Sequence, residues 1–198
     1  NHQIHNFEVG GATHEYAITS TGNVDIPVLL EDSEKIVNEI HSMFGEIPPY
    51  EHYVFYLHLT SGGFGGLEHC RSCSMIYDRN GFKDRKKYIR LLSLVSHEFF
   101  HTWNVKRIRP KELGPFDYYN EVYTKLLWIA EGVTSYYDNI FLPRCGVSTI
   151  KEYFNTICDD IKRYEGIPGK EVMTVEESSF DAWIKLYRPN ENSVNTSI

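Results

Sequence analysis

One stretch of the 198-residue chain has the sequence His97-Glu98-Phe99-Phe100-His101. Apolar residues at Leu91–Val95 and Phe99-Phe100 recur at helical spacing, so the pattern predicts a helix over residues 88–104. Residues four positions apart lie on the same face of a helix, and both imidazoles can therefore reach one metal ion. Glu98 projects beside that ion, where it can take a proton from a water molecule as a general base.

The five-residue pattern is not decisive alone. The chain has 9 histidines, and with this composition the pattern arises by chance in roughly 4% of sequences. The competing interpretation is two ordinary histidines on a surface or core helix. The apolar flanks weigh against it, because buried imidazoles need hydrogen bonds or a metal.

A third ligand is needed, since catalytic zinc usually has three protein ligands and one open position. Glu131 is a lone carboxylate in an apolar stretch of a second helix, predicted over residues 121–141. An unpaired buried Glu is costly, and a metal removes that cost. The rival is Glu121 at the start of the same predicted helix, where an acid is commonly solvated and favoured by the helix dipole. The residues favour one zinc ion held by His97, His101 and Glu131.

The remaining patterns predict strands first and helices after, which is typical of the α+β class. Two alternating runs around Gly10-Gly11 predict a β-hairpin within residues 1–30. The other predicted elements are a helix capped by Asp32 or Ser33 that ends near Phe44, strands over Tyr53–Leu59 and Ser74–Tyr77, a Gly-rich loop over residues 61–66, a helix capped by Ser148 that ends near Tyr164, and a helix capped by Ser178 or Ser179 that ends before Pro189.

Composition excludes several classes of function. The net charge is −7 and no long basic block is present, so nucleic acid is not an expected partner. No apolar run is long enough to cross a bilayer. The chain begins at Asn1 without a Met, and we interpret it as a piece of a longer protein whose location it does not indicate. Cys70 and Cys73 form a lone C-x-x-C pair, and we expect unpaired or structural cysteines.

Longer motifs around these residues resemble the glycyl aminopeptidase family, from about Ile36 onward. The similar segments are His97–Pro110, Leu127–Tyr137, Gly65–His69 and Phe180–Pro189, followed by Glu191-Asn192-Ser193. Members of that family are zinc metallopeptidases of the gluzincin group, related in their core to thermolysin and aminopeptidase N. The resemblance implies a thermolysin-like α+β catalytic domain over residues 1–198, with a small β-sheet followed by a helical bundle that carries the zinc site.

The resemblance also implies roles for individual residues. His97, His101 and Glu131 match the metal ligands, and Glu98 matches the general base. The exopeptidase motif of aminopeptidase relatives, whose strand pairs with the substrate backbone and whose Glu binds the free α-amino group, resembles Gly66-Leu67-Glu68-His69. Substrate-binding roles for Gly66, Leu67 and Glu68 follow, on a strand near residues 66–76. The expected partners are peptides with a free N-terminus, and the family name suggests a preference for Gly or Ala there.

The chain departs from the family pattern in two ways. The Tyr or His that stabilises the oxyanion is expected just beyond Asn192-Ser193, and the chain stops at Ile198. The N-terminal β domain and C-terminal PDZ-like domain of family members do not fit within the chain. We therefore expect a fragment that binds zinc and catalyses poorly, unless one of three tyrosines supplies the missing group: Tyr118, Tyr119 or Tyr123.

Three alternative functions stay open at this point. The first is an endopeptidase of the same fold, in which Glu68 does not bind an amine. The second is a peptide-binding module with a structural or vestigial metal site, against which an intact Glu98 argues. The third is a helical interaction domain without a metal.

Overall fold

A mixed five-stranded sheet forms one layer of the protein. The structure is a computed structural model that describes residues 2–45 and 48–196. The strands are β1 (His2–Val9), β2 (Ala12–Thr19), β3 (His52–Thr60), β4 (Gly65–Glu68) and β5 (Ser72–Asp78). Their order in the sheet is β1-β2-β3-β5-β4. The pairs β2/β3 and β3/β5 are parallel, whereas β1/β2 and β4/β5 are antiparallel. Strand β4 is therefore the last strand at one edge of the described sheet.

Helices make up most of the chain after the sheet. They are α1 (Ile26–Phe44), α2 (Arg85–Phe100), α3 (Leu127–Arg144), α4 (Ile150–Glu165), α5 (Val175–Phe180), α6 (Ala182–Lys185) and α7 (Ser193–Thr196), with short 3-10 segments at Gly81–Lys83, Lys111–Leu113 and Pro168–Glu171. The predicted α+β class is confirmed. None of the described helices has the length and apolar composition that crossing a bilayer requires.

The predicted β-hairpin is confirmed. Gly10 and Gly11 have φ of +60° and +81° and connect β1 to β2, and the strands pair from His2 with Thr19 to Val9 with Ala12. Positive φ at both turn residues matches the twist of the strands that a two-residue turn connects. Helix α1 then crosses over to the parallel strand β3, as parallel neighbours require.

The core lies between the sheet and helices α1 and α2. Phe99 of α2 is fully buried, with its ring 5.0 Å from that of Tyr53 and 5.9 Å from that of Phe55, both on β3. Burying this aromatic ring removes a large apolar surface from water and fixes the rotation of α2 about its axis. That rotation determines where the neighbouring residues His97, Glu98 and His101 point.

Two helices begin at other caps than predicted. Helix α1 begins at Ile26 rather than near Ser33, because Asp25 accepts a hydrogen bond from the Val28 amide. Helix α4 is capped by Thr149 rather than Ser148. Thr149 and Glu152 form a reciprocal capping box, which satisfies two free amides at once.

The predicted helices around the second half of the chain also differ in extent. Helix α3 begins at Leu127 instead of residue 121, since the Thr124 hydroxyl accepts from the Leu126 amide and bends the chain there. Helix α2 spans Arg85–Phe100 rather than residues 88–104. The C-terminal helix predicted after Ser178 or Ser179 is wrong. A capping box of Thr174 and Glu177 starts α5, which holds both serines, and α6 follows it.

All four cysteines are free thiols, as predicted. Cys73 is buried in β5, and Cys70 is exposed in the turn before it.

A buried hydrogen-bond network near Phe99 of α2 joins His14 to His41 through the hydroxyl of Tyr50. His14 Nδ1 lies 3.1 Å from the Ala12 carbonyl oxygen, which can only accept, so His14 donates there. Its Nε2 must then accept from the Tyr50 hydroxyl, at 3.0 Å. The Tyr50 oxygen in turn accepts from His41 Nε2, at 2.9 Å. Both imidazoles are thus held neutral, each in one tautomer.

This network predicts acid sensitivity. Burial, with the nearby His41 charge as a further cause for His14, lowers the pKa of His14 and of His41 from 6.5 to about 4. Between pH 6.5 and 4 these two histidines are therefore more protonated in the unfolded chain than in the folded one. The free energy of unfolding should fall as the pH drops through this range. Urea unfolding at a series of pH values measures this slope. His41→Gln should flatten it, whereas His2→Gln, at an exposed side chain of β1, should leave it unchanged.

Candidate metal centre

The last turn of α2 and the first turn of α3 place three metal-ligating side chains together. Glu131 Oε2 lies 3.1 Å from His97 Nε2 and 3.6 Å from His101 Nε2. The three ligand atoms all lie within 4.8 Å of one another. The structure thus brings together the three residues predicted to hold the ion. The rival Glu121 lies in the irregular segment before α3, and no His/Cys/Asp/Glu cluster among residues 2–45 and 48–196 includes it.

The other nitrogen of each imidazole is already engaged. His97 Nδ1 donates to Asp138 Oδ2 at 2.8 Å, and His101 Nδ1 donates to the Asn104 carbonyl oxygen at 2.6 Å. Carboxylate and carbonyl oxygens accept only, so both Nδ1 atoms bear a proton, and Nε2 is the nitrogen of each ring that could bind a metal ion. Both Nε2 atoms face the Glu131 carboxylate. Two imidazoles that lose the Nε2 proton on metal binding, together with one carboxylate, form a donor set that fits a zinc ion.

Asn104 also connects the two helices. Its side-chain nitrogen donates to the Ala130 carbonyl and to the Thr134 hydroxyl, both at 3.0 Å. One residue therefore orients the His101 ring through its backbone and holds α3 next to Glu131 through its side chain. Sequence reasoning did not single it out, because nothing local indicates a contact 26 residues away.

Asp138 is the second residue that sequence reasoning missed. It is buried, with 5% of its surface exposed, and also accepts from the Ser93 hydroxyl at 3.2 Å. The sequence spacing could have predicted it, because Asp138 lies seven residues after Glu131 and therefore two turns further along the same face of α3. Placing Glu131 at the metal would have placed Asp138 beside it.

Opposite charges offset the burial of the metal-ligating groups. Burial alone disfavours the imidazolium, but hydrogen bonds to Asp138 and Glu131 raise the pKa of His97 to about 10. Burial likewise opposes ionisation of Glu131, yet hydrogen bonds from His101 and His97 hold its pKa far below the ordinary value. The expectation that Glu131 is a buried, unpaired acid was wrong. Its side chain is 45% exposed and already paired, because it opens into the cleft.

Glu98 lies beside this cluster with 4% of its surface exposed. Burial raises its pKa to about 7, against the opposing effect of His97 and His101 and with a smaller contribution from the Glu68 charge. Such a carboxylate can both accept and return a proton near neutral pH, as a general base must. Glu98, Glu68 and His101 also have ligand atoms within 4.8 Å of one another.

Strand β4 runs directly across Glu98. A Cβ added at Gly66 would overlap the Glu98 carboxylate, so only glycine fits there without displacing it. Gly65 and Gly66 belong to β4, whereas the sequence predicted a loop over residues 61–66. Leu67, opposite Ser74 of β5, is 57% exposed. The predicted substrate-binding residues therefore line one open strand edge beside the metal-ligating cluster.

Glu68, the predicted amine-binding residue, already has a partner. Lys106 Nζ lies 2.8 Å from Glu68 Oε1, and both side chains are largely buried. Sequence reasoning did not single out Lys106, because the pair joins two elements 38 residues apart.

The tyrosines considered for oxyanion stabilisation differ in placement. Tyr118 and Tyr119 are 89% and 97% exposed, and Tyr123 packs its ring 5.0 Å from that of Phe180. Tyr187 instead lies within electrostatic reach of the centre. Burial raises the pKa of its phenol, and the Glu131 and Glu68 charges raise it further.

Known proteins resemble this chain at both the sequence and the structure level. A family model described as M61 glycyl aminopeptidase matches residues 90–198. A crystal structure of an aminopeptidase N family protein from Idiomarina loihiensis is similar with a TM-score of 0.93 at 34% sequence identity. That match covers 100% of this chain and 35% of the other, so the chain spans about a third of the solved protein. Comparison with curated protein sequences gives no match.

If the cluster binds zinc, Asp138→Ala should weaken the affinity for added zinc by about 10- to 100-fold, because the His97 ring loses the acceptor that fixes its tautomer and orientation. Competition with a chelating dye measures the affinity. Asp159→Ala is the control, since that carboxylate pairs with Lys86 on the surface. An unchanged affinity in the Asp138 variant would show that the ring is held by other contacts.

With Glu98 as the general base of a zinc peptidase, Gly66→Ala should lower peptide turnover by at least ~10²-fold and leave the zinc content unchanged, because the new methyl group displaces the Glu98 carboxylate. Gly62→Ala is a matched control in the preceding loop, where an added Cβ has no atom within 4 Å. Equal turnover by the two variants would mean that β4 moves aside at no cost.

Proposed function

Because this chain belongs to the M61 glycyl aminopeptidase family, we propose that it is the catalytic part of a zinc-dependent peptidase. His97, His101 and Glu131 hold the single ion in this proposal, in a thermolysin-like arrangement of the gluzincin type. The observation that supports it most directly is the convergence of two imidazole Nε2 atoms and one carboxylate oxygen within 4.8 Å of one another. In this proposal residues 1–198 form one catalytic unit, and the edge strand β4 of the sheet faces the substrate.

When bound there, zinc supplies Lewis acidity, which lowers the pKa of a water molecule and polarises the substrate carbonyl. Glu98 takes the proton from the attacking water and later gives it to the leaving amine. Its pKa of about 7 suits both tasks. Asp138 and Asn104 keep the imidazoles in the tautomer that leaves Nε2 free, and α3 keeps Glu131 opposite them.

The position of β4 favours removal of N-terminal residues. An extended substrate can add to the open edge of β4 as a further strand, and Glu68 ends that strand close to Glu98. The amino nitrogen of a terminal residue lies about 2.5 Å from its own carbonyl carbon. A carboxylate this close to the general base can therefore bind the ammonium group while the first peptide bond lies at Glu98. Peptides beginning with Gly or Ala are the proposed substrates.

An endopeptidase of the same fold is the second candidate. The Lys106 ion pair favours it, since Glu68 is already neutralised by that contact. Peptides with free and with acetylated N-termini separate the two functions, because only an aminopeptidase requires the ammonium group.

Glu98→Gln should abolish peptide hydrolysis, by ~10²- to 10⁴-fold, and retain zinc, since the amide cannot take up the proton of the water. His101→Ala should instead lose nearly all zinc. Activity and metal content are measured on the native protein that contains this chain. Normal turnover by the Gln variant removes Glu98 from the mechanism, and stoichiometric zinc in the Ala variant places the ion elsewhere.

A further inference from the structure

Lys106 brings a positive charge into the proposed amine-binding end of the cleft. Its Nζ lies 2.8 Å from Glu68 Oε1, with 12% of the Lys106 side chain and 20% of the Glu68 side chain exposed. The same Nζ lies 5.0 Å from the centre of the Phe116 ring, whose face attracts cations. This charge is largely withdrawn from water, so salt screens it less than a surface charge.

The backbone holds Lys106 in place. Its amide donates to the His101 carbonyl oxygen at 3.0 Å, in the turn that closes α2. Lys106 therefore keeps a fixed relation to the helix end that presents His101. On the other side, Glu68 is fixed by the pairing of β4 with β5, opposite Cys73. The ion pair connects the proposed substrate strand to the metal-ligating helix.

Such a pair changes what Glu68 can recognise. A substrate ammonium group that reaches Glu68 shares one carboxylate with a second cation, so its attraction to Glu68 is partly offset by repulsion from Lys106. A neutral, acetylated terminus does not meet that repulsion. The carboxylate of Glu98 nearby adds some attraction for both cations, and it does not distinguish between them.

We propose that Lys106 is a specificity-determining residue that reduces the preference of this site for a free N-terminus. This inference rests on the proposed function, because it assumes that Glu68 faces the substrate terminus. Removing the Lys106 charge leaves the substrate ammonium as the partner of Glu68, and the preference for free over acetylated peptide should rise.

The test compares the binding of an Ala-initiated peptide amide and its N-acetyl form to the native zinc-loaded protein. Glu98→Gln is present throughout so that neither peptide is hydrolysed, and calorimetry gives the two dissociation constants. Lys106→Met keeps an apolar stem of similar length and should raise the ratio of acetyl to free dissociation constants on the order of tenfold. Lys106→Arg keeps the charge and should leave the ratio near that of the parent.

Lys170→Met is a matched control. Lys170 pairs with Glu165 at 2.9 Å with 15% of its side chain exposed, and its Nζ lies 5.3 Å from the centre of the Tyr164 ring. Lys170 thus resembles Lys106 in its own burial, its ion pair and its ring contact, although its partner Glu165 is 67% exposed, and it lies in the 3-10 segment after α4, away from the metal-ligating cluster. Its removal should not change the ratio. If Lys106→Met does not fold, as judged by zinc content and circular dichroism, Lys106→Gln replaces it.

Glu68→Gln separates failure of this inference from failure of the proposed function. If Glu68→Gln lowers the ratio and Lys106→Met leaves it unchanged or lowers it, Lys106 does not set the preference and the amine-binding role of Glu68 stands. If no Glu68 variant changes the ratio in either the parent or the Lys106→Met background, Glu68 does not recognise the amine. Both the aminopeptidase proposal and this inference are then overturned.

Discussion

The hydrogen bonds of Asn104 hold the end of α2 against α3, and the candidate metal centre depends on that contact. The Asn104 side chain donates hydrogen bonds to Ala130 and Thr134 of α3. Its backbone carbonyl oxygen accepts a hydrogen bond from His101 Nδ1. Because Ala130 immediately precedes Glu131, the same residue sets the spacing between an imidazole on one helix and a carboxylate on the other. A shift of either helix would break a buried hydrogen bond and leave an amide unpaired, which costs more than the bond contributes.

The balance of charges in the cleft also favours a bound metal ion. Four acidic groups lie at or beside the centre, namely Glu68, Glu98, Glu131 and Asp138, and the basic groups facing them are two imidazoles and Lys106. Buried charges need partners, and the raised pKa of Glu98 shows that burial already disfavours its ionised form. A divalent cation between His97, His101 and Glu131 would offset this excess of negative charge. The surroundings are therefore suited to a metal on electrostatic grounds as well as by the geometry of the donors.

The sequence predicted those parts of the site that depend on local geometry. The grouping of His97, Glu98 and His101 follows from helical spacing, whereas Gly66, Leu67 and Glu68 were predicted only from their resemblance to the exopeptidase motif of aminopeptidase relatives. Contacts between distant elements were not accessible in the same way. Asn104 and Lys106 acquire their partners only when α2 is rotated by the burial of Phe99 against β3.

The misplaced helix starts have a related cause. Several Ser, Thr and Asp residues near each boundary could cap a helix, and composition alone does not rank them. The true caps at Thr149 and Thr174 each have a Glu three residues later, which lets two side chains satisfy two amides reciprocally. The predictions at Ser148 and at Ser178 or Ser179 considered the cap residue without its partner. The start of each helix is thus indicated by a Thr together with a Glu three residues later, and not by a capping residue alone.

The edge strand β4 leaves one side open to pair with another strand, but its short length limits pairing with other proteins. An open strand edge can pair with any extended chain, so natural sheets shorten such edges or place charges on them. Strand β4 has four residues and ends in a charged pair, Glu68 with Lys106. Gly66 lets the strand approach Glu98 closely, which places this edge next to the proposed general base. In the proposed function, a peptide that pairs with this edge lies beside Glu98, and four residues offer few hydrogen-bonding partners to a longer strand of another protein.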